Sequence, residues 1–352
     1  MTPTAYARAG VDIRAGERAV DLMKDHVARA IRPEVLGGLG GFAGFFDASA
    51  LKCYRRPVLV TSTDGVGTKV AIASAMGVYD TVGWDLVGML VDDIVVVGAE
   101  PLYVTDYIAC GAVVPERIAA LVGGIADACA AAGAALVGGE TAEHPGLLAP
   151  DEFDLAGATT GVVDYDAILG PARVRPGDRL LALASSGLHA NGFSLVRHVL
   201  LDQAKLPLER EVAELGRTLG EELLTPTRVY AAALLEVIAA TEVHAMSHVT
   251  GGGLANNLAR VIPDPLAATI DRTTWTPAPI FGLVQRLGAV EQPDIEETLN
   301  MGVGMVVVLP ESSIATATSV LARHGIDAWE CGAVGVRAAN QPAVALHGSY
   351  GA

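Results

Sequence analysis

Residues 58–69 place a short apolar segment directly before a turn that carries groups able to bind a nucleotide. The turn reads Asp64, Gly65, Val66, Gly67, Thr68, Lys69. Its two glycines let backbone N–H groups come close to an anion, Lys69 can neutralise that anion, and Asp64 can hold a cation beside it. The turn therefore predicts a site for nucleotide phosphates with Mg²⁺, and the alternative is an ordinary turn after a strand.

Two well-known nucleotide-binding motifs do not fit the chain. The glycine and lysine spacing of the turn differs from the phosphate loop G-x-x-x-x-G-K-[ST], which occurs nowhere in the sequence. Residues 38–43 match the glycine pattern of a dinucleotide-binding turn, but proline and charged residues interrupt residues 30–36, where the preceding strand should lie. These mismatches argue against a simple Rossmann dehydrogenase.

The second half of the chain contains two further glycine-rich loops, each between an apolar segment and an expected helix. Residues 185–192 include His189 and Asn191, and residues 250–253 read Thr-Gly-Gly-Gly. A strand, a glycine loop and a helix N-terminus together favour an anion, because free N–H groups and the helix dipole point at the loop. Ser186 and Thr250 could instead serve only as helix caps, and the sequence leaves both interpretations open.

Carboxylates at the ends of expected elements could hold the metal that accompanies a nucleotide: Asp64, Asp92, Asp93, Asp106 and Glu140. Mg²⁺ prefers oxygen ligands and shares its coordination shell with water and phosphate. A carboxylate inside an apolar helix costs several kcal/mol unless it is paired or bound to a metal. Because adjacent helix residues point about 100° apart, we favour Asp93 over Asp92 as the ligand, and the alternative for Asp92 is that it caps the helix or faces solvent.

An alternation of apolar strands and alanine-rich helices must position these residues. Strands are predicted over residues 57–62, 103–109, 135–138, 157–163, 179–184, 245–249 and 306–309, and helices over residues 16–31, 68–76, 80–97 and 115–132. Further helices are expected to begin at Phe193 and Leu254. A break at residues 169–171 predicts a boundary between domains over residues 16–169 and 170–352, after an arm over residues 1–15.

The composition is that of a compact protein with room for two domains. The chain has 352 residues, of which 51% are hydrophobic, and a net charge of −16 that argues against nucleic-acid binding. No apolar run reaches the roughly 20 residues of a membrane-spanning helix, and the N-terminal residues do not resemble a signal peptide. Four scattered cysteines without a C-x-x-C pair predict buried reduced thiols. We therefore expect a cytoplasmic protein without a membrane or nucleic-acid partner.

Taken together, the motifs closely resemble those of the phosphoribosylformylglycinamidine cyclo-ligase family (aminoimidazole ribonucleotide synthetases). The resemblance extends over nearly the whole chain, and the motifs occur in the order typical of the family. The matching stretches are residues 9–13, 32–42, 63–69, 97–101, 136–143, 185–197, 250–253 and 300–305.

The resemblance implies an α/β protein of mixed architecture with two domains. The N-terminal domain would bind ATP and metal and form a homodimer, its sheet joining the partner's sheet in a barrel, and the C-terminal domain would be a mixed sheet with flanking helices. ATP would phosphorylate the formyl amide oxygen of formylglycinamidine ribonucleotide. The amidine nitrogen would then attack that carbon, close the imidazole ring and expel phosphate. The protein mainly positions the groups and neutralises charge in such a transfer.

The resemblance also implies roles for individual residues. The Mg²⁺ ligands would be Asp64, Asp93 and Glu140. The contacts to ATP would come from Asp64, Gly65, Gly67, Thr68 and Lys69. The substrate side would be lined by His189, Asn191, His248, Thr250, Gly251 and Gly252. Lys69, His189 and His248 are the candidate catalytic residues, and a structural role is the alternative for each histidine. Which glycine loop takes the ribose phosphate stays open.

Some positions depart from the pattern of the family, and two other functions compete. The departures are Asp92 for asparagine, Val97 for glutamine, His144 for methionine, Ala190 for serine, Phe193 for tyrosine, and Ala7 and Arg8 for a lysine–aspartate pair.

The competing functions are another ATP-using enzyme of the superfamily, such as a thiamine monophosphate kinase or a selenide-activating synthetase, and a catalytically silent relative like those of hydrogenase maturation. Residues 64–69 combined with residues 189–192 favour the cyclo-ligase.

Overall fold

The computed structural model describes residues 10–37 and 41–351, which divide into two compact units. The first unit contains the chain up to Ile94 together with Glu100–Tyr165. The second contains Val95–Ala99 and the chain from Asp166 onward, so it includes a short segment from within the predicted N-terminal domain. Arg8, most of the predicted arm and residues 38–40 of the glycine pattern lie outside the described residues.

The first unit is built around a four-stranded sheet with helices packed on it. Its elements are α1 (Ile13–Val27), β1 (Val35–Leu36), β2 (Phe45–Phe46), β3 (Pro57–Gly65), α2 (Val70–Met76), α3 (Thr81–Val95), β4 (Glu100–Cys110), α4 (Pro115–Ala132), β5 (Ala135–Glu143) and β6 (Phe153–Asp164). The strand order is β3-β6-β4-β5, with β6 antiparallel to both neighbours and β5 parallel to β4. Strands β3, β4 and β5 therefore finish at the same end of the sheet.

Close backbone approaches hold the helices of this unit in place. A Cβ atom at Gly157 of β6 would lie 2.8 Å from the Leu90 side chain, so α3 packs directly on the sheet. A Cβ atom at Gly83 would lie only 2.3 Å from the backbone nitrogen of Ile125, which brings α3 against α4. These contacts explain why the apolar helix α3 is buried along most of its length, as expected for a helix covered on several sides.

The second unit is built around a six-stranded mixed sheet. Its strands are β7 (Arg179–Ala184), β8 (Glu211–Val212), β9 (Arg217–Thr218), β10 (Ala245–His248), β11 (Leu266–Asp271), β12 (Val303–Leu309), β13 (Ala328–Val336) and β14 (Val344–His347). The helices are α5 (Phe193–Arg197), α6 (Leu219–Leu223), α7 (Ala231–Ala240), α8 (Gly253–Ala259), α9 (Pro279–Gly288), α10 (Gln292–Thr298) and α11 (Ile314–Arg323). The sheet order is β10-β12-β7-β13-β11-β14, with β8 and β9 forming a separate hairpin.

The mixed α/β fold predicted from the sequence is confirmed, and the deviations are local. Helix α4 and strand β7 have the predicted limits, whereas α1 begins at Ile13 because Asp12 caps it by accepting from the N–H of Arg14 at 3.0 Å. The alternative in which Asp92 faces solvent does not hold, because its side chain is fully buried. Among the four free cysteines, Cys53 is exposed and so departs from the prediction of buried thiols.

No helix among the described residues is both long and apolar enough to cross a membrane.

Candidate functional site

The turn after β3 presents several of the predicted ATP-binding groups at the surface of the first unit. Asp64, Gly67 and Thr68 are exposed, and the N–H of Gly65 donates to Asp64 Oδ1 at 2.7 Å. Gly67 has a φ of +70°, a left-handed conformation that glycine adopts without strain. Gly67–Lys69 then forms one 3₁₀ turn that leads into α2. The turn thus offers the Thr68 hydroxyl and the open backbone at Gly67 to an incoming phosphate, and the Asp64 carboxylate to an accompanying cation.

Lys69 does not lie with the exposed groups of this turn, although it was predicted to contact the ATP phosphates with them. Its side chain is fully buried, and Nζ lies 2.8 Å from Oδ1 of Asp85, which is also fully buried. Burial lowers the pKa of the Lys69 ammonium, and the Asp85 carboxylate partly opposes that change. The ammonium therefore does not face solvent with the rest of the turn. A direct contact of Lys69 with ATP phosphates would require this ion pair to open.

The register of the sheet fixes how far apart the predicted carboxylates lie. Asp64 is paired with Gly157, Gly157 with Asp106, and Asp106 with Gly139, so one row crosses all four strands. Glu140 belongs to the next row, at the same end of the sheet as Asp64. Asp64 and Glu140 lie on the two edge strands, three strand spacings apart, which is about 14 Å at about 4.8 Å per spacing.

The predicted ligands of the magnesium ion therefore do not come together within a single copy of the chain. Ligands of one Mg²⁺ ion each lie about 2.1 Å from it, which the separation of Asp64 and Glu140 does not allow. Asp93 is exposed on α3, one turn beyond Leu90 and farther from the row that contains Asp64. Within residues 10–37 and 41–351, no group of three or more His, Cys, Asp or Glu side chains could hold a metal ion.

In the second unit, the two glycine loops meet at one end of the sheet. β7 and β10 both run antiparallel to β12, so their carboxyl ends lie where β12 begins. The N–H of Ser185 donates to the carbonyl of Gly302 at 2.9 Å, and the N–H of Val249 donates to that of Gly304, also at 2.9 Å. A Cβ atom at Gly251 would lie 4.0 Å from Nδ2 of Asn191. The structure thus brings Asn191 beside the Thr250–Gly252 loop.

His189 is buried inside the first of these loops. Its Nε2 accepts a hydrogen bond from the backbone N–H of Ser186 at 3.2 Å, which requires that nitrogen to be unprotonated. Its φ of +62° is uncommon for a residue other than glycine. A Cβ atom at Gly304 would lie 2.6 Å from His189 Cε1, so the ring is packed against β12. This geometry favours the structural alternative, in which His189 holds the loop.

The other predicted residues of the second unit have distinct positions. His248 is the last residue of β10 and is 5% exposed. The carbonyl of Thr250 accepts from Nδ2 of Asn257 at 3.3 Å, and the carbonyl of Gly253 accepts from the same nitrogen at 2.7 Å. Asn191 Oδ1 is buried and has no hydrogen-bond partner among the residues described. Asn191 is therefore the candidate whose acceptor is most readily matched to a substrate donor.

The sequence did not indicate a role for some residues that hold the turn after β3 or the two glycine loops. Asp85 interrupts the same apolar segment as Asp92, and that signal was present in the sequence. Asn257 lies one helical turn into α8 and is 4% exposed. Asn300 Nδ2 donates to the carbonyl of Gly187 at 2.9 Å, while its Oδ1 accepts from the N–H of Gly302 at 2.8 Å. Such contacts depend on tertiary structure and leave little trace in the residue order.

Known families match most of the chain. The model of the N-terminal domain of AIR synthase related protein matches residues 46–163, and that of the C-terminal domain matches residues 175–342. A phosphoribosylformylglycinamidine cyclo-ligase of Shouchella clausii (strain KSM-K16) is 51% identical over 330 residues, covering 94% of this chain and 95% of the relative. One from Geobacillus sp. (strain WCH70) is 49% identical with the same coverage.

Solved structures share the fold at much lower sequence identity. A thiamine-monophosphate kinase from Stenotrophomonas maltophilia K279a superimposes with a TM-score of 0.68 at 19% identity, covering 95% of this chain and 97% of the other. The hydrogenase maturation protein HypE in complex with ATP gives a TM-score of 0.62 at 20% identity, covering 95% and 91%. Identities this low support the common fold alone.

Proposed function

The chain belongs to the phosphoribosylformylglycinamidine cyclo-ligase family, and we infer that it closes the imidazole ring of aminoimidazole ribonucleotide with the consumption of ATP. It is an ATP-dependent ligase of purine biosynthesis that forms a C–N bond. The observation that carries this conclusion is 51% identity to a cyclo-ligase over 94% of the chain. Thiamine monophosphate kinases and hydrogenase maturation proteins share the fold at 20% identity or below, so the alternatives are not favoured.

In this proposal, one set of residues binds ATP and another binds the ribonucleotide. The formyl amide oxygen takes the terminal phosphoryl of ATP, which turns a poor leaving group into phosphate. The amidine nitrogen of the same substrate then attacks the activated carbon, loses a proton and expels phosphate. We assign the ATP phosphates to the exposed Gly67 and Thr68, since backbone and hydroxyl donors suit phosphate oxygens, and the cation that accompanies them to Asp64. Lys69, paired with Asp85, then acts by holding the turn.

We assign the ribonucleotide to the paired loops of the second unit. Asn191 offers a buried carbonyl acceptor beside Thr250, Gly251 and Gly252. Two glycine loops at the carboxyl ends of strands are a common setting for phosphate-bearing ligands. In this proposal the histidines hold the loops, because His189 and His248 are both almost completely buried.

Mg²⁺ and the homodimer are linked in this proposal. One protomer does not bring Asp64 and Glu140 to one ion, since they lie on opposite edge strands. If two copies joined these sheets edge to edge, β3 of one copy would lie beside β5 of the other, and Asp64 of one copy would face Glu140 of the other. A Mg²⁺ ion bound there would also coordinate the ATP phosphates. A cytoplasmic location, expected from the sequence, belongs to the same proposal.

A direct assay tests the assignment. Purified protein is incubated with formylglycinamidine ribonucleotide, ATP and MgCl₂, and the product is measured as the coloured diazo derivative of the aminoimidazole together with ADP. We expect both products in equal amounts. A folded protein that yields neither would overturn the assignment. Phosphorylation of thiamine monophosphate by the same preparation, without ring closure, would instead establish the kinase.

A further inference from the structure

The side chain of Asn257 binds the backbone of the glycine loop at residues 250–253 at several points. Its Nδ2 donates to the carbonyl of Gly253 at 2.7 Å and to the carbonyls of Thr250 and Gly251 at 3.3 Å each. Its Oδ1 accepts from the hydroxyl of Thr250 at 3.4 Å. Because an amide nitrogen has two N–H groups, at least one of them is shared between two carbonyls. One side chain thus holds most of the loop.

The backbone of this loop has a conformation that needs such support. Gly252 and Gly253 have φ values of +102° and +71°, both in the left-handed region. Gly252 is also the N-cap residue of α8 and makes no side-chain capping hydrogen bond. Glycine has more backbone freedom than any other residue, so a loop with three glycines depends on contacts from outside it to keep one conformation.

The position of Asn257 in α8 would suit an apolar residue if packing alone mattered. Asn257 is 4% exposed and shares the buried side of the helix with Leu254 and Leu258. Asparagine forms helices less well than leucine or alanine, and its amide is costly to bury unless it is hydrogen-bonded. The hydrogen bonds to the loop offset that cost. The amide of Asn257 therefore serves the loop and not the packing of the helix.

Gly251 connects Asn257 with the residues assigned to the ribonucleotide. Its carbonyl accepts from Asn257, and a Cβ atom at Gly251 would lie 4.0 Å from Nδ2 of Asn191. Asn191 in turn has the buried acceptor that the proposed function assigns to the ribonucleotide. A loop released from Asn257 would therefore lose its fixed position beside Asn191.

We propose that Asn257 is a positioning residue for the ribonucleotide, which acts by holding the loop at residues 250–253 beside Asn191. The inference rests on the proposed function, which assigns this loop to formylglycinamidine ribonucleotide. A preformed loop lowers the cost of ordering on binding, so loss of the amide should weaken binding of the ribonucleotide. ATP is assigned to residues of the first unit, so its binding should not depend on Asn257.

The test measures KM for each substrate in Asn257→Ala with the ring-closure assay. We expect KM for formylglycinamidine ribonucleotide to rise about tenfold or more, since several hydrogen bonds to the loop are lost together, and KM for ATP to stay close to the wild-type value. The matched control is Asn256→Ala. Asn256 is exposed and donates one hydrogen bond to the carbonyl of Gly252 at 2.9 Å. Water can replace that contact, so this variant should change KM for the ribonucleotide by less than about threefold.

A second control separates positioning from stability. Leu258→Ala removes a fully buried side chain from the same helix without removing a hydrogen bond to the loop. It should unfold at a lower urea concentration than the wild-type protein, with KM for the ribonucleotide close to the wild-type value. An equal rise of this KM in Leu258→Ala and Asn257→Ala would show that lost stability is the cause, and would overturn the inference. An unchanged KM in Asn257→Ala, or equal rises for both substrates, would overturn it as well.

The outcomes also separate this inference from the proposed function. Ring closure by the wild-type protein with an unchanged KM in Asn257→Ala would overturn the inference alone. No ring closure by a folded wild-type protein would overturn the proposed function and the inference with it. If Asn257→Ala does not fold, Asn257→Ser, which keeps a smaller donor at the same position, is measured against the same controls, and a wild-type KM for the ribonucleotide in that variant would overturn the inference equally.

Discussion

Lys69 Nζ lies 2.8 Å from Asp85 Oδ1, and both side chains are completely shielded from solvent. The pair connects the turn that follows β3 to the N-terminal half of α3. In a medium of low polarity each charge depends on the other, because neither can be hydrated. We therefore interpret the pair as the fixed point from which the exposed part of the turn is positioned.

Breaking this pair from one side should strongly destabilise the protein. In Lys69→Met or Asp85→Asn, the free energy of unfolding should fall by about 3–5 kcal/mol, since the loss of one member of a buried ion pair removes a stabilising interaction from the charge that remains buried. The double variant Lys69→Met/Asp85→Leu should lose much less, and its turnover should exceed that of either single variant if Lys69 acts by holding the turn. Urea unfolding and the ring-closure assay measure both quantities.

The control for this experiment is the exposed pair of Lys24 and Asp21 on α1. Lys24→Met should change the free energy of unfolding by less than about 1 kcal/mol, because exposed ion pairs contribute little. A double variant that is stable but has no turnover would contradict the positioning role and restore a direct contact of Lys69 with ATP.

The buried carboxyl of Asp106 should make stability depend on pH. Burial raises its pKa from the ordinary value of 3.8 to about 7 in the folded protein, so between these values the folded state binds the proton more tightly than the unfolded state. The contribution of Asp106 to the free energy of unfolding should thus be full below pH 4 and fall as pH rises to about 7, by at most about 1.4 kcal/mol per pH unit. The adjacent thiol of Cys129 stays neutral, because burial raises its pKa too.

Urea unfolding at pH 5, 6, 7 and 8 checks this dependence. The difference in stability between Asp106→Asn and the wild-type protein isolates the contribution of this carboxyl from that of the other acids. We expect the variant to gain stability relative to the wild type as pH rises to 7, and no further gain at pH 8. A difference that stays constant over this range would show that Asp106 is already ionised at pH 5.

The sequence was sufficient where local chemistry determines the structure. Helix α4 has the predicted limits because Pro115 favours its first turn and Gly133 ends it with a φ of +72°. The aspartates of α3 were harder to separate: Asp85 and Asp92, seven residues apart, lie on one buried face, and Asp93 is exposed. Helical spacing relates Asp85 to Asp92 but does not say which face is covered.

The metal site could not be judged from residue order, because it depends on strand order. Asp64 and Glu140 both come a few residues after an apolar stretch, residues 58–60 and 134–137, and looked equivalent in the sequence. Their separation arises because β6 and β4 insert between β3 and β5. A register shift between Val104 and Thr105 of β4 further determines which residue of β5 lies beside Asp106. Neither feature has a local signal in the sequence.

Gly253 should be essential for the second glycine loop. Its φ is +71°, and a Cβ atom there would lie 1.7 Å from the carbonyl oxygen of Glu296, so Gly253→Ala must displace α8 or α10. We expect a loss of at least about 1–3 kcal/mol in the free energy of unfolding and a higher KM for the ribonucleotide. Gly282→Ala in α9, where a Cβ atom meets nothing within 4 Å, should be neutral or stabilising. Equal behaviour of the two variants would contradict this expectation.

Asn191 should contribute to binding of the ribonucleotide and not of ATP. Its buried Oδ1 lies in the loop beside Gly251 and has no described partner. In Asn191→Ala we expect KM for formylglycinamidine ribonucleotide to rise about tenfold, the loss of one hydrogen bond of about 1.4 kcal/mol, with KM for ATP unchanged. Steady-state kinetics with each substrate varied in turn measures this. Equal increases in both KM values would indicate a general disturbance of the loop instead.

Mixed dimers can test whether Asp64 and Glu140 act across two copies. Asp64→Asn and Glu140→Gln should each abolish turnover, because both residues are needed at every shared site. In a dimer of one variant with the other, one site would carry both substitutions and the second would be intact. After unfolding and refolding an equal mixture, random pairing should restore about a quarter of the wild-type activity. The separately refolded variants are the controls. No recovery, in a mixture shown by mass spectrometry to contain mixed dimers, would mean that the two carboxylates do not share a site between copies.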